Sequence, residues 1–131
     1  MAEFNVPAPG SICWRELATK DLPTAIGFYS KLFGWDLPQT KISPMEYKEV
    51  VVDGVAHGGM MAIDENWPPE VPSHWTTYIA VADADATAEK IVAEGGTLCV
   101  PPFDAPGVGR MAKVTDPSGA GFSIIQFTEP M

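Results

Sequence analysis

Two stretches of this chain follow one plan: WRELATKDLPTAIGFYSKLFGW over residues 14–35 and TTYIAVADADATAEKIVAEGGT over residues 76–97. At a constant offset of 62 residues, Asp21 corresponds to Asp83. Each stretch reads as an alternating strand, an aspartate that caps an amphipathic helix, and a glycine that ends the helix. A chain that repeats one supersecondary unit often buries something at the joint between the copies, so we expect its functional site there.

Three further strands complete each copy. The prolines of the segment between the copies predict a connector at residues 64–73. In the first helix, apolar residues recur at helical spacing on one predicted face: Leu22, Ala25, Ile26, Tyr29, Leu32 and Phe33. The predicted further strands are 35–42, 45–52 and 55–63 in the first copy and 97–101, 110–115 and 121–127 in the second. The sequence therefore predicts an α+β fold in one domain, with βαβββ modules at 10–63 and 74–128.

Composition limits the partners of the chain. Its 131 residues carry a net charge of −9 with no cluster of basic residues, so we expect neither nucleic acid nor anionic membrane as a partner. No apolar run is long enough to cross a bilayer, and the first residues do not resemble a secretion signal, which favours the cytoplasm. Cys13 and Cys99 are then expected to be packed thiols rather than a disulfide.

Three motifs carry a family resemblance: KDLPTAIGFYSKLFGW, ADADATAEKIVAEGG and GRMAKVTDPSGAGF. In this order and spacing they resemble the vicinal oxygen chelate superfamily, which includes glyoxalase I, extradiol dioxygenases and bleomycin resistance proteins. The resemblance covers residues 10–128. It implies an eight-stranded curved sheet around a cup, and the open edges of such a sheet favour a homodimer.

The same resemblance marks four positions where metal-using members carry their ligands. Trp14 and Thr76 occupy the two first-strand positions, and Ser123 occupies the last-strand position of the second copy. Turn lengths leave the equivalent position of the first copy open among Gly58, Gly59, Met60 and Met61. Divalent metals prefer imidazole, carboxylate or thiolate ligands, so we expect neither a bound metal nor another cofactor.

The candidate ligand-binding residues lie on the strands that would form the cup. An indole at Trp14 can stack on a flat ligand or simply plug the cup. Glu16 is a candidate acid or base, or a partner in a structural ion pair, and Arg110 can hold a ligand anion or pair with the chain's own carboxylates. A metal site made by Glu16, His57 and His74 is a further alternative. The full predicted set is Trp14, Glu16, His74, Thr76, Tyr78, Arg110 and Ser123.

These residues favour a small-molecule binding protein that works without a metal and takes an aromatic or amphipathic ligand. The alternative is a divalent-metal lyase, isomerase or dioxygenase of the glyoxalase type, whose chemistry requires a Lewis acid on the substrate oxygens. A third possibility is a structural or regulatory protein whose cup is filled by its own side chains.

Overall fold

The computed structural model describes residues 7–42, 45–65, 67–105 and 108–127. It contains eight strands and two helices within these ranges and is of the α+β class. In chain order they are β1 (Ile12–Thr19), α1 (Leu22–Phe33), β2 (Gln39–Ile42), β3 (Met45–Val52), β4 (Val55–Ala62), β5 (His74–Ala80), α2 (Ala84–Ala93), β6 (Thr97–Ala105), β7 (Gly109–Thr115) and β8 (Gly121–Phe127). Predicted segment ends at residues 1–6 and 128, and residue 66 of the connector, lie outside the described residues.

The chain divides into two compact units. The first unit is Trp14–Thr76, and the second unit combines Met1–Cys13 with Thr77–Met131. Strands of the first unit run in the order β2-β3-β4-β1, and those of the second in the order β5-β8-β7-β6. In each unit the first and last strands of the copy are parallel neighbours, β1 with β4 and β5 with β8.

Helix α1 begins and ends as its sequence predicts. The Asp21 carboxylate accepts a hydrogen bond from the backbone N–H of Thr24 at 3.1 Å. Gly34 ends the helix in the left-handed conformation, with φ of 67°, and its N–H donates to the Ser30 carbonyl at 2.9 Å. Leu22 is buried, and α1 packs on a core formed by Leu17, Val50 and Met60.

The predicted apolar face of α1 is not buried along its whole length. Leu32 is 56% exposed and Phe33 is 60% exposed, and Phe28 beside them is also exposed. The helix turns about 100° per residue, so a periodic apolar pattern does not specify where the sheet surface beneath it ends. The exposed Phe28, Leu32 and Phe33, here called the α1 stripe, therefore form an apolar surface on the first unit.

Helix α2 plays the same part in the second unit. Asp83 caps it by accepting from the Ala86 N–H at 3.0 Å, and the Gln126 side chain accepts from the Ala84 N–H at 2.8 Å. Ala88 packs on Ala112 and Ile124 of the strands beneath. Small residues at this contact let the helix lie close to its sheet.

Two strand boundaries differ from the prediction by more than one residue. Strand β2 begins at Gln39 rather than at residue 35, although Asp36 makes an isolated bridge to Val51. Strand β6 continues through two prolines to Ala105, since β6 pairs only with β7 and its register shifts between Val100 and Phe103. An edge strand with irregular pairing tolerates residues that cannot donate a backbone hydrogen bond. Neither helix has the length and apolar character of a bilayer-spanning segment within the described parts of the chain.

Candidate functional site

A chain of hydrogen bonds ties three side chains together on the face of the first unit that points away from α1. The Trp14 indole N–H donates to the Tyr47 hydroxyl at 2.9 Å, and that hydroxyl donates to Glu16 Oε2 at 2.7 Å. Tyr47 and Glu16 are both buried, while Trp14 is half-buried. Burial strengthens such a polar chain and makes each member costly to remove.

A glycine makes this arrangement possible. Gly59 on β4 lies beneath the Tyr47 ring, and a Cβ added there would overlap the hydroxyl and the adjacent ring carbons of Tyr47. The missing side chain lets the ring cross β4 and reach Glu16 on β1. Since Glu16 lies opposite Gly59 in the parallel pair, the glycine and the carboxylate are direct neighbours.

Strand register also identifies the residue of the first copy that corresponds to Ser123, which turn lengths left open. Glu16 pairs with Gly59 in the first unit, as Tyr78 pairs with Ser123 in the second. Glu16 and Tyr78 are equivalent at the offset of 62, so Gly59 is the counterpart of Ser123. Neither glycine nor serine is a good ligand for a divalent metal.

The second unit presents a different set of groups. Ser123 is only 1% exposed, and its Oγ has no hydrogen-bond partner among the described residues. Tyr78, its register partner, is also buried. A buried hydroxyl without a partner is rare in folded proteins.

Arg110 pairs with the chain's own carboxylates, one of the two uses considered from sequence. Its guanidinium contacts Asp85 at 2.9 Å and Asp104 at 3.0 Å. Hydrogen bonds from Asp85 and then Asp104 raise the pKa of Arg110 above its usual value. This exposed cluster joins α2, β6 and β7 within the second unit.

The two histidines lie apart from the Glu16 network. His74 Nδ1 is 2.7 Å from the Pro72 carbonyl, and its ring lies 6.5 Å from that of Trp67. Thr76 is half-buried, and His57 is exposed on β4. Across the described ranges, no three His, Cys, Asp or Glu side chains come together as a metal site. The proposed trio of Glu16, His57 and His74 is therefore not assembled.

Sequence reasoning missed a cleft on the opposite, α1-covered face of the first unit. Its volume is about 510 Å³, a size typical of small-molecule sites. It is lined by Arg15, Trp35, Val50, His57, Gly58 and Trp75. Along β1, Trp14 and Glu16 project to one face and Arg15 and Leu17 to the other, so the cleft and the Glu16 network lie on opposite sides of the same strands. Alternation along β1 placed Arg15 on that face, but nothing local indicated the cleft.

A comparison with protein families gives the class to which the chain belongs. The family model for the Glyoxalase/Bleomycin resistance protein/Dioxygenase superfamily matches residues 11–124. This chain belongs to that superfamily, as its sequence motifs indicated.

The chain is also similar in sequence to two named proteins. It is 41% identical over 118 residues to a Mycobacterium tuberculosis protein named "Putative glyoxylase CFP32", covering 89% of this chain and 44% of the relative. It is 35% identical over 131 residues to the anthracycline biosynthesis protein DauV of Streptomyces sp. strain C5, covering 89% of this chain and 47% of that protein. The chain thus spans less than half the length of these relatives.

Solved structures agree on the fold. The methylmalonyl-CoA epimerase of Mycobacterium tuberculosis superposes with a TM-score of 0.64 at 17% identity, over 98% of this chain and 94% of the epimerase. At this identity the similarity concerns the fold and not the reaction.

Proposed function

We propose that this protein binds a small aromatic or amphipathic molecule and does so without a metal ion. The observation that carries the proposal is the half-buried Trp14 indole. The family resemblance puts Trp14 at a ligand position. Its N–H is held by Tyr47, so the ring is fixed while part of its surface remains accessible. A rigid indole face suits stacking on a flat ligand.

The residues proposed to contact ligand are those expected from sequence. In the first unit they are Trp14, Glu16, His74 and Thr76, and in the second Tyr78, Arg110 and Ser123. The free Ser123 Oγ supports this set, because a ligand carbonyl or hydroxyl would satisfy it. Arg110 is the weakest member, since Asp85 and Asp104 already occupy its guanidinium.

An anthracycline is a suitable first probe, because two relatives are named anthracycline biosynthesis proteins. Titration of wild type and Trp14→Ala should show binding weakened at least several-fold, since aromatic stacking contributes about 0.5–1.5 kcal/mol beyond buried area. Val92→Ala, an exposed change on α2, is the control and should keep the wild-type affinity. If Trp14 is only a plug, Trp14→Ala should instead destabilise the fold by about 3–5 kcal/mol in a thermal melt, with no binding by wild type.

A metal-dependent lyase, isomerase or dioxygenase is the second candidate, favoured by the relative named as a glyoxylase. Elemental analysis of protein purified without a chelator or a histidine tag distinguishes the two. Metal near one equivalent per chain would support the enzyme. Substoichiometric metal would support the binding protein.

We also propose a location, an assembly and the excluded partners of the protein. Cys13 and Cys99 are both free thiols, although Cys99 is exposed and not packed as predicted. We propose the cytoplasm, a reducing compartment, as the location of the protein. We further propose that two copies form a homodimer, with neither nucleic acid nor membrane as partner.

A further inference from the structure

The cleft on the α1-covered face has a corner built from fixed aromatic rings. Tyr29 stacks on Trp35 with 5.4 Å between ring centroids and 7° between planes. Trp75 stands edge-on to both, at 88° to Tyr29 and 87° to Trp35, and its indole N–H donates to the Tyr29 hydroxyl at 3.2 Å. Two of these rings, Trp35 and Trp75, line the cleft at right angles to each other.

Such a corner offers a guest two aromatic surfaces that stand nearly at right angles. Aromatic pairs are most stable in offset-stacked or edge-to-face geometry, and a single planar guest can meet Trp35 and Trp75 in those two ways at once. Val50 adds an aliphatic side chain to the lining. Trp75 remains 42% exposed, so the guest can enter directly from solvent.

Arg15 supplies a positive charge beside this corner. The chain has 17 acidic residues and a net charge of −9, and Arg110 is held by two carboxylates. Arg15, by contrast, has neither an ion pair nor a side-chain hydrogen bond to any residue in the described ranges. An exposed guanidinium without a carboxylate, next to a cleft, is available to a ligand anion in bidentate geometry.

Irregular pairing between β3 and β4 brings the His57 imidazole to the same cleft. Strand β3 pairs Val50 with Gly58 and then Val51 with Ala56, which leaves His57 as an extra residue in β4. A bulge of this kind redirects a side chain, and His57 lines the cleft with Val50 and Gly58 although strict alternation would turn it away. Gly58 itself must lack a side chain, because a Cβ there would overlap the Arg15 carbonyl.

We propose that this cleft is a binding site for an aromatic carboxylate, with the ring in the Trp35–Trp75 corner and the carboxylate on Arg15. His57 offers a second hydrogen-bond donor to the same anion. The site is separate from the proposed Trp14 site, since the two lie on opposite faces of the strands. This proposal does not depend on the function proposed above.

The test uses 2-naphthoate as the probe and 2-naphthalenemethanol, its uncharged analogue, as the ligand control. In ¹⁵N-labelled protein each tryptophan gives one indole N–H signal, assigned by single Trp→Phe substitutions. Naphthoate should shift the signals of Trp35 and Trp75 and leave those of Trp14 and Trp67 in place. The alcohol should bind about tenfold more weakly or worse, because it lacks the charge-assisted hydrogen bonds.

Protein variants then distinguish recognition of the carboxylate charge from nonspecific hydrophobic binding. Arg15→Gln should weaken naphthoate binding about tenfold or more and leave alcohol binding unchanged, since Arg15 is exposed and its replacement leaves the core intact. Lys90→Gln removes one exposed positive charge from α2 and should leave both affinities unchanged. The proposal is overturned if naphthoate shifts neither Trp35 nor Trp75 at millimolar concentration, if it shifts Trp14 instead, or if Arg15→Gln binds it as wild type does.

Discussion

The Glu16 carboxylate accepts a hydrogen bond from a tyrosine hydroxyl. A carboxylate on an apolar strand needs a polar partner, which sequence alone could not name. The partner, Tyr47, lies 31 residues away, and its hydroxyl also accepts from Trp14. A buried carboxylate with a fixed donor is an ordered group that a ligand can address, whichever of the two proposed functions holds.

The cysteines differ in a way that chemistry can measure. Cys99 is exposed, whereas Cys13 is half-buried with its Sγ 3.6 Å from the Tyr78 carbonyl. Burial raises the pKa of the Cys13 thiol, which reduces its reactive thiolate. Iodoacetamide at about pH 8 should therefore modify Cys99 faster than Cys13 in the folded protein, as followed by peptide mass mapping. In urea both should react alike, and equal rates in the folded state would contradict the prediction.

At the scale of elements, the two glycines of β4 decide what the first unit can present on each face. Gly58 removes a side chain from the cleft face, and Gly59 removes one beneath Tyr47. In sequence they were only two of the four candidates for one ligand position. Their role depends on the ring and the carbonyl that come close to them, and neither is nearby along the chain.

Gly59→Ala should destabilise the protein, since the new methyl group overlaps Tyr47 and displaces its ring from Glu16. We expect a loss of about 1–3 kcal/mol, typical of overpacking, measured by urea unfolding. In a Tyr47→Ala background the same change should cost clearly less, because the overlapping ring is gone. Equal costs in both backgrounds would show that the two residues are not coupled.

The turn between β7 and β8 makes a pH-dependent contribution to stability. Asp116 Oδ1 accepts hydrogen bonds from Ser118 Oγ at 2.6 Å, Ser118 N at 2.8 Å and Ala120 N at 3.0 Å. The bond from the Ser118 hydroxyl is the largest cause that lowers the pKa of Asp116 in the folded state. The stabilisation is thus present above the unfolded pKa, about 3.9, and is lost as pH falls through the lower folded value.

Asp116→Asn should therefore lose less stability than wild type between about pH 5 and pH 2.5, because its amide keeps an acceptor but has no charge to neutralise. Urea midpoints at the two pH values measure this. Glu89→Gln, an exposed change on α2, serves as the control and should follow wild type. If Asp116→Asn loses as much stability on acidification as wild type does, Asp116 does not cause the pH dependence.

Local signals predicted the helices better than the cleft. Asp21, Asp83 and Gly34 act within a few residues of themselves, so their caps could be read directly from sequence. His57 entered the cleft through a bulge, and Tyr47 reached Glu16 across β4. Both depend on pairing between strands distant in sequence, where one shifted residue changes which side chains share a face.

At the scale of the whole molecule, the repeat keeps the fold and changes the chemistry. Register places Glu16 beside Gly59 in the first unit and Tyr78 beside Ser123 in the second. One unit thus offers a carboxylate satisfied by its own tyrosine, and the other a buried hydroxyl without a described partner. The two units therefore carry different polar groups at matching positions, which a strictly repeated sequence would not do.

The last prediction concerns assembly. Each unit has an edge strand, β2 or β6, and the first unit also exposes the α1 stripe, an apolar surface of a kind that often marks protein contacts. We expect a dimer that buries this stripe, with a mass by light scattering of about twice the 14.1 kDa of one chain. Leu32→Glu should lower the mass to that of one chain, because two copies of the charge would face each other near the symmetry axis.

Val92→Glu is the matched control, since Val92 is 52% exposed on α2, outside the stripe. It should leave the dimer intact at the same micromolar concentration. A wild-type mass near that of one chain would end the dimer proposal. A dimer that survives Leu32→Glu but not Val92→Glu would instead move the contact from the α1 stripe to α2, because only there would the new charge be buried against a partner.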